Sequence, residues 1–215
     1  MKLLLTTRMG DPYFGLLDDL PDIQKVWATT PEEIAGWTIG IVGYGQIGQQ
    51  VARRALRFEM HVLAVDIEPT PDAPHGVEVW GLDRLPALFE QSDVVVVAAP
   101  FTPQTRHLID ADLLERMKPT AYLLVESRGG IVDESALLDV LKKGKITAAG
   151  LDVFEQEPLG SDSELWDVPN LIMTPHLAGA SIQKDRRCVE ILRENLGRFQ
   201  RGETLINLVD KRKGY

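Results

Sequence analysis

Short apolar runs alternate with amphipathic stretches from Thr38 onward, and this alternation constrains the fold more than any other feature. An apolar run of about four to eight residues is strand length, whereas apolar residues spaced three and four apart indicate a helix. The predicted strands cover residues 38–43, 61–66, 77–80, 93–98, 121–125, 147–151 and 171–174, and the predicted helices cover residues 46–58, 82–91, 110–117, 134–143 and 181–200. This order predicts an α/β fold, a doubly wound and mostly parallel sheet with helices on both faces.

Residues 1–35 form a separate predicted unit, which precedes a main domain over 36–200 and a tail over 201–215. Strand-like patterns cover residues 2–6 and 23–28 and a helical pattern covers residues 13–20, so the unit is a short N-terminal β-α-β fragment. Pro31, followed by Glu32 and Glu33, predicts a further helix start, because proline is favoured at the first helical position.

Composition narrows the classes of partner. A net charge of -9 and a pI near 5.0 argue against nucleic acid and against an anionic membrane surface. The longest wholly apolar run, residues 94–101, is far shorter than a membrane-spanning helix. Cys188 is the only cysteine, so an intrachain disulfide cannot form, and we expect a reducing, cytoplasmic location.

Gly43, Gly45 and Gly48 follow the first strand of the main domain and open its first helix. Glycines at this spacing permit a tight turn and a close approach to a pyrophosphate, which the free amides of the helix start attract. Asp66 ends the next strand, where a carboxylate binds ribose hydroxyls and repels a 2′-phosphate. We therefore predict a dinucleotide site that prefers NAD to NADP, with a purely structural turn as the alternative.

A proline-rich loop that includes Pro100 and Thr105 follows the strand over residues 93–98. Ligands of doubly wound sheets bind beyond the carboxyl ends of the strands, so this loop should border the cofactor. The other interpretation is a stiff connection in which Thr105 caps a helix, and both interpretations can hold together.

Candidate catalytic residues follow the later strands. His176 ends the last strand, and a histidine bonded to a carboxylate can exchange a proton near neutral pH. Glu157 and Glu155 are both possible partners, and spacing does not choose between them. Asp152 is a candidate cofactor contact, and Arg128 either binds a small carboxylate or lies on the surface. No histidine or cysteine pair has metal-ligand spacing, and no serine-nucleophile motif occurs.

Taken together, these motifs resemble the D-isomer-specific 2-hydroxyacid dehydrogenases, which include phosphoglycerate and glyoxylate/hydroxypyruvate dehydrogenases. The resemblance covers residues 36–215 and rests on the glycine motif and on residues 100–108, 127–136, 150–158 and 174–179. It implies hydride transfer between NAD and a small 2-hydroxy or 2-oxo acid. The implied catalytic residues are Arg128, Glu157 and His176, and the implied cofactor contacts are Gly43, Gly45, Gln46, Ile47, Gly48, Asp66, Pro100, Thr105, Ser127, Arg128, Asp152, His176 and Ala178.

Two departures from this family qualify the expectation. The N-terminal unit resembles only the start of the family's substrate domain, so the alternative function is an NAD-binding domain or scaffold without turnover. The apolar surface that a shortened chain exposes predicts a homodimer. In addition, Val125 and Glu126 replace an asparagine and a small or hydroxyl residue, and we hypothesise that Glu126 pairs with Arg128 and competes with the substrate carboxylate.

Overall fold

A computed structural model describes residues 2–5, 24–27 and 32–212 of the chain. The chain divides into two compact units, residues 1–35 and residues 36–215. In the first unit, strands β1 (Lys2–Leu5) and β2 (Gln24–Trp27) pair in parallel, with Lys2 opposite Gln24. The helix predicted over residues 13–20 lies outside the described residues.

The helix start predicted at Pro31 is wrong for the described part of that segment. Glu32 to Ile34 have no regular structure, and Ala35 and Gly36 form a turn. Gly36 has a φ of 79°, a left-handed conformation that ends helical geometry rather than continuing it. After this turn, the chain enters the first strand of the second unit.

The second unit is built on a seven-stranded sheet in which every neighbouring pair is parallel. Its order is β5-β4-β3-β6-β7-β8-β9, which confirms the doubly wound α/β fold. The strands are β3 (Thr38–Val42), β4 (His61–Val65), β5 (Val77–Trp80), β6 (Val94–Val97), β7 (Tyr122–Val125), β8 (Ala148–Leu151) and β9 (Leu171–Met173). The helices are α1 (Gln46–Arg57), α2 (Leu85–Gln91), α3 (Ala111–Glu115), α4 (Glu134–Lys142) and α5 (Lys184–Arg201).

Helix ends follow local chemistry. Asp133 caps α4 by accepting hydrogen bonds from the amides of Ser135 and Ala136, and Asp110 caps α3 through the amide of Leu113. The helix predicted over residues 82–91 is divided into a 3₁₀ turn (Leu82–Arg84) and α2. Pro86 lies in the first turn of α2, where its missing amide hydrogen is tolerated but a continuous preceding helix is not.

Buried side chains form one cluster on each face of the sheet. Because a strand points successive side chains to opposite faces, Val95 and Val97 join one cluster and Val96 joins the other. Phe89 of α2 is fully buried in the first cluster, and Ala52 of α1 is buried in the second. This two-sided burial explains why β6 has no polar residue.

The order of the strands reverses between β3 and β6. The chain runs outward from β3 through β4 to β5, returns to β6 and then runs outward through β7, β8 and β9. Such a reversal leaves a crevice at the carboxyl ends of the two central strands, where ligands of this fold class bind. Among the described residues, we find no helix that is long and apolar enough to cross a membrane.

Candidate active site

A cleft of about 1220 Å³ opens at the carboxyl ends of the strands. This volume exceeds the usual range for small-ligand pockets, about 300–1,000 Å³. The cleft brings together most of the residues selected from the sequence: Gly43, Gly45, Gln46, Ile47, Asp66, Pro100, Thr105, Ser127, Arg128, Glu157 and His176. Gly48, Asp152 and Ala178 do not line the cleft.

The glycine turn leaves the start of α1 open. A Cβ atom at Gly48 would lie 2.2 Å from the carbonyl oxygen of Gly43, so only glycine allows the helix to approach the strand this closely. At Gly45, no atom of the residues that the structure describes lies within 4 Å of the corresponding position, and Gly45 caps α1 without a side-chain hydrogen bond. The first turn of α1 contains no acidic residue. The helix therefore presents uncapped amides and its positive end to the cleft, which fits a pyrophosphate.

Asp66 directly follows β4 beside this turn and is half-buried. One carboxylate oxygen accepts a hydrogen bond of 2.7 Å from the amide of Tyr44, and the other accepts one of 3.0 Å from the amide of Glu68. These contacts fix the carboxylate at the cleft. A carboxylate accepts about four hydrogen bonds, so capacity remains for ribose hydroxyls.

The loop from Pro100 to Thr105 borders the cleft, but Thr105 does not cap a helix. Residues 103–107 form turns. The Thr105 hydroxyl donates to the carbonyl oxygen of Pro100 at 2.8 Å and accepts from the amide of Thr102 at 2.7 Å. The next helix, α3, takes its cap from Asp110 instead. The threonine therefore closes the loop on itself, which keeps Pro100 at the edge of the cleft.

His176 pairs with Glu157. The Nδ1 atom of His176 lies 2.8 Å from Oε2 of Glu157, and Oε1 of Glu157 accepts a hydrogen bond of 3.0 Å from the amide of Phe154. The hydrogen bond with His176, then that from Phe154, and the nearby charge of Arg128 lower the pKa of Glu157 below its usual range. Glu155, the competing candidate, contacts His107 at 3.1 Å instead.

Asp152 organises the turn that carries His176. Its carboxylate accepts hydrogen bonds of 2.8 Å from the amides of Leu177 and Ala178 and a further one from the Thr174 hydroxyl. The amide of His176 donates to the backbone oxygen of Asp152 at 2.8 Å, and His176 has a φ of 55°. Burial alone would raise the pKa of Asp152, but the hydrogen bonds from Thr174, Ala178 and Leu177 outweigh it and lower this pKa.

Arg128 does not pair with Glu126, so the hypothesised competition with a substrate carboxylate is not supported. Among the described residues, no ion pair joins the two; a guanidinium nitrogen of Arg128 donates to the carbonyl oxygen of Ser127 at 2.6 Å. Strand β7 ends at Val125, so the alternation on which the hypothesis depended stops before Glu126. Burial, then the charge of Asp152, raises the pKa of Glu126.

Sequence reasoning missed several residues of the site. Thr174 belongs to the motif over residues 174–179, but spacing does not predict its hydrogen bond to Asp152, which depends on the pairing of β8 with β9. His107 and Glu134 were not selected, although both contact Glu155. Ser127, by contrast, is one of the implied cofactor contacts; its buried hydroxyl has no hydrogen-bond partner among the described residues, and it lies beside Arg128 at the cleft. Within residues 32–212, no group of three acidic, histidine or cysteine side chains is placed to hold a metal ion.

Comparison with known proteins agrees with this geometry. Residues 23–178 match the family described as D-isomer specific 2-hydroxyacid dehydrogenase, NAD binding domain. The chain belongs to this family. The resemblance inferred from the motifs is thereby confirmed, and the matched domain is one that binds a nicotinamide cofactor.

Similar proteins are named as reductases and dehydrogenases. The chain is 45% identical over 181 residues to a glyoxylate reductase of Korarchaeum cryptofilum, covering 83% of this chain and 54% of that protein. It is 42% identical over 173 residues to a glycerate dehydrogenase of Methylorubrum extorquens, covering 80% and 52%. The chain therefore spans about half the length of these relatives.

Solved structures show the same fold. A 2-hydroxyacid dehydrogenase of Xanthobacter autotrophicus in complex with NADPH and MES superimposes with a TM-score of 0.80 at 37% identity, covering 89% of this chain and 78% of that chain. A glyoxylate/hydroxypyruvate reductase of Sinorhizobium meliloti in complex with NADP and sulfate gives a TM-score of 0.78 at 30% identity, covering 95% and 63%.

Proposed function

We propose that this chain is the cofactor-binding and catalytic part of an NAD-dependent 2-hydroxyacid dehydrogenase, which transfers hydride between nicotinamide and a small 2-hydroxy or 2-oxo acid. The observation that carries the proposal is one cleft lined by Arg128, Glu157 and His176 together with the open end of α1. The pairing of His176 with Glu157 at 2.8 Å, in a protein of this family, supports an acid–base role.

Each polar residue has a separate task in this proposal. When bound, a nicotinamide would supply the hydride chemistry, and the residues of this chain would bind, orient and exchange a proton with the substrate. Glu157 occupies Nδ1 of His176, so Nε2 is the nitrogen left to exchange a proton with the substrate oxygen. Arg128 is exposed at the cleft, where its planar guanidinium suits a carboxylate and polarises a neighbouring carbonyl group. Asp152 holds the turn from Thr174 to Ala178 and keeps His176 in place.

The test is a turnover assay with matched variants. Purified protein is mixed with NADH and with glyoxylate, hydroxypyruvate or pyruvate, and loss of NADH absorbance is followed. We expect turnover by the wild type and none by His176→Gln. The control is His61→Gln, which changes an exposed histidine at the start of β4 and should retain turnover. All three proteins should bind NADH with similar affinity. Turnover by His176→Gln equal to that of the wild type would refute the proposed acid–base role.

NADH binding without turnover would support the alternative, a cofactor-binding domain or scaffold. That alternative has its basis in the length of the chain, which covers 54% of one relative and 52% of another. The retained Arg128, Glu157 and His176 favour the enzyme. Absence of NADH binding would remove both functions.

We further propose that the cofactor is NAD. Asp66 supports this preference, because a fixed carboxylate at the end of β4 repels a 2′-phosphate. Two structures similar to this chain hold NADPH or NADP, so the preference needs a direct test. We expect NADH to bind at least about tenfold more tightly than NADPH, and Asp66→Ala to narrow the difference. Equal affinities in the wild type would overturn the proposal.

A homodimer is also proposed, on the basis of α5. Its residues Val189, Leu192, Leu196 and Phe199 are spaced three and four apart and are between 54% and 73% exposed. Such an apolar stripe favours association. In sedimentation at micromolar concentration, the double variant Leu192→Lys/Leu196→Lys should shift the wild-type dimer to monomer, whereas Arg187→Glu should not. A monomeric wild type would refute this. The cytoplasmic location stays a prediction, testable by cell fractionation.

A further inference from the structure

A second histidine–glutamate pair lies next to the proposed catalytic pair. The Glu155 carboxylate contacts Nε2 of His107 at 3.1 Å and accepts a hydrogen bond of 3.2 Å from the amide of Glu134. In return, the amide of Glu155 donates to the carboxylate of Glu134. We call this set of three residues, His107, Glu134 and Glu155, the Glu155 junction. Its reciprocal bonds tie each glutamate to the backbone of the other.

The Glu155 junction joins three loops that leave adjacent strands. His107 belongs to the loop after β6, Glu134 begins α4 after the loop that carries Arg128, and Glu155 belongs to the loop after β8. The amide of His107 also donates to the carbonyl oxygen of Gly130 at 2.8 Å. All three loops contribute residues to the cleft. The position of Glu155 therefore depends on both of the other loops.

Backbone packing makes this connection tight. A Cβ atom at Gly129 would lie 1.8 Å from the carbonyl oxygen of Phe154 and 2.7 Å from the nitrogen of Glu155. The loop that carries Arg128 thus lies directly against the peptide between Phe154 and Glu155. A displacement of one segment must displace the other, because no side chain separates them.

The same segment orients Glu157. The amide of Phe154 donates to Oε1 of Glu157 at 3.0 Å, which leaves Oε2 directed at His176. The Glu157 and His176 side chains are 35% and 43% exposed, so their mutual attraction alone restrains them weakly. Accurate placement must come from the backbone of residues 154–157, and the Glu155 junction is what anchors this backbone to its neighbours.

We propose that Glu155, held by His107 and Glu134, is a positioning residue that sets the orientation of Glu157 toward His176. The Glu155 carboxylate also lies at the amino-terminal end of α4, where helix geometry favours a negative group. Bound there, Glu155 does not compete with Glu157 for His176. This inference deepens the proposed function and rests on it for its effect on turnover, but not for its effect on the His176 ring.

The test combines NMR of the His176 ring with kinetics. Nitrogen-15 spectra of the wild type and of Glu155→Gln, Glu157→Gln and Asp139→Asn report the hydrogen-bonded proton at Nδ1, and His176→Gln assigns the signal. Asp139 pairs with Lys143 on the exposed side of α4 and is the matched control. Glu157→Gln should weaken the Nδ1 proton signal of His176, and Glu155→Gln should change the signal in the same sense. Asp139→Asn should leave it unchanged. In Glu155→Gln, kcat should fall about tenfold, whereas KM and the NADH dissociation constant should stay within about twofold of the wild-type values. Misplacement of the catalytic pair slows the reaction but removes no group that binds substrate or cofactor.

The proposal would be overturned if Glu155→Gln had the same His176 signal and the same kcat as the wild type, even if its thermal stability were lower. If the wild type itself has no turnover, the proposed function fails and the NMR signal alone decides the positioning role. A second pair of variants covers poor folding of Glu155→Gln. His107→Ala removes the donor and should weaken the His176 signal, whereas His107→Gln retains a donor and should restore it. An unchanged signal in His107→Ala would also overturn the proposal.

Discussion

Asp152→Asn should destabilise the protein although it changes the size of the side chain very little. Asp152 is 7% exposed and receives three hydrogen bonds, from the Thr174 hydroxyl and the Leu177 amide at Oδ1 and from the Ala178 amide at Oδ2. An asparagine that keeps its oxygen at the Oδ1 position places an NH₂ group opposite the Ala178 amide. One charge-assisted hydrogen bond is then lost, two partly buried donors face each other, and the two remaining hydrogen bonds are no longer made to a charged group.

The expected loss in the free energy of unfolding follows from the number of hydrogen bonds that are lost or weakened. A hydrogen bond to a charged group contributes about 1.5–3 kcal/mol, and an unsatisfied buried donor costs about 1–3 kcal/mol. Allowing for relaxation of the turn, we expect the free energy of unfolding to fall by about 2–4 kcal/mol. Urea unfolding monitored by tryptophan fluorescence measures the difference. The control, Asp139→Asn, removes an exposed ion pair with Lys143 and should change stability by less than about 1 kcal/mol.

The pH dependence gives an independent check on the same contacts. The folded-state pKa of Asp152 is lowered, so its stabilising contribution is present above the unfolded value of about 3.9 and is lost as pH falls through the folded value. The stability difference between wild type and Asp152→Asn should therefore shrink at strongly acidic pH. A difference below about 1 kcal/mol at neutral pH, or one that does not shrink in acid, would refute the reasoning.

Three further predictions concern the neighbouring residues. Glu157→Gln should lower kcat about 10²–10³-fold in the keto-acid assay and leave NADH affinity unchanged, and comparable kcat values would contradict its role. Because the hydrogen bond with His176 lowers the pKa of Glu157, the Nδ1 proton signal of His176 should persist in NMR below the ordinary glutamate pKa of about 4.3 and vanish only at lower pH. Gly129→Ala should lower the free energy of unfolding in urea by at least about 2 kcal/mol, because its Cβ would meet the carbonyl group of Phe154. Gly179→Ala should be nearly neutral, because no described atom lies within 4 Å of its Cβ position.

Most of the fold could be predicted from the sequence because burial periodicity is a local property. All seven strands of the large sheet lie within the predicted ranges, and the valines of β6 alone indicate a strand covered on both faces. Helix ends were less predictable, because they depend on individual side chains. Pro86 divides the predicted helix over residues 82–91, and α5 begins at Lys184 rather than at Ser181.

The candidate site was predictable where a motif fixes the backbone and unpredictable where contacts cross between loops. The glycine turn and Asp66 lie where spacing places them, because they directly follow two adjacent parallel strands. Spacing could not choose between Glu155 and Glu157 as the partner of His176, because both belong to one irregular loop. The structure separates them only because His107, from a third loop, engages Glu155.

Placement of the proposed catalytic pair therefore depends more on backbone donors than on the pair itself. An ion pair as exposed as that of His176 and Glu157 contributes about 0–1 kcal/mol, too little to hold two side chains in one geometry. Asp152 fixes the turn on the histidine side through partly buried hydrogen bonds, and the amide of Phe154 fixes the carboxylate on the glutamate side. Both anchors emerge from the end of β8, a strand paired with a neighbour on each side. A rigid strand that ends in two anchored loops can keep exposed reacting groups aligned while leaving them open to substrate, and this is the arrangement that an acid–base pair at a cleft requires.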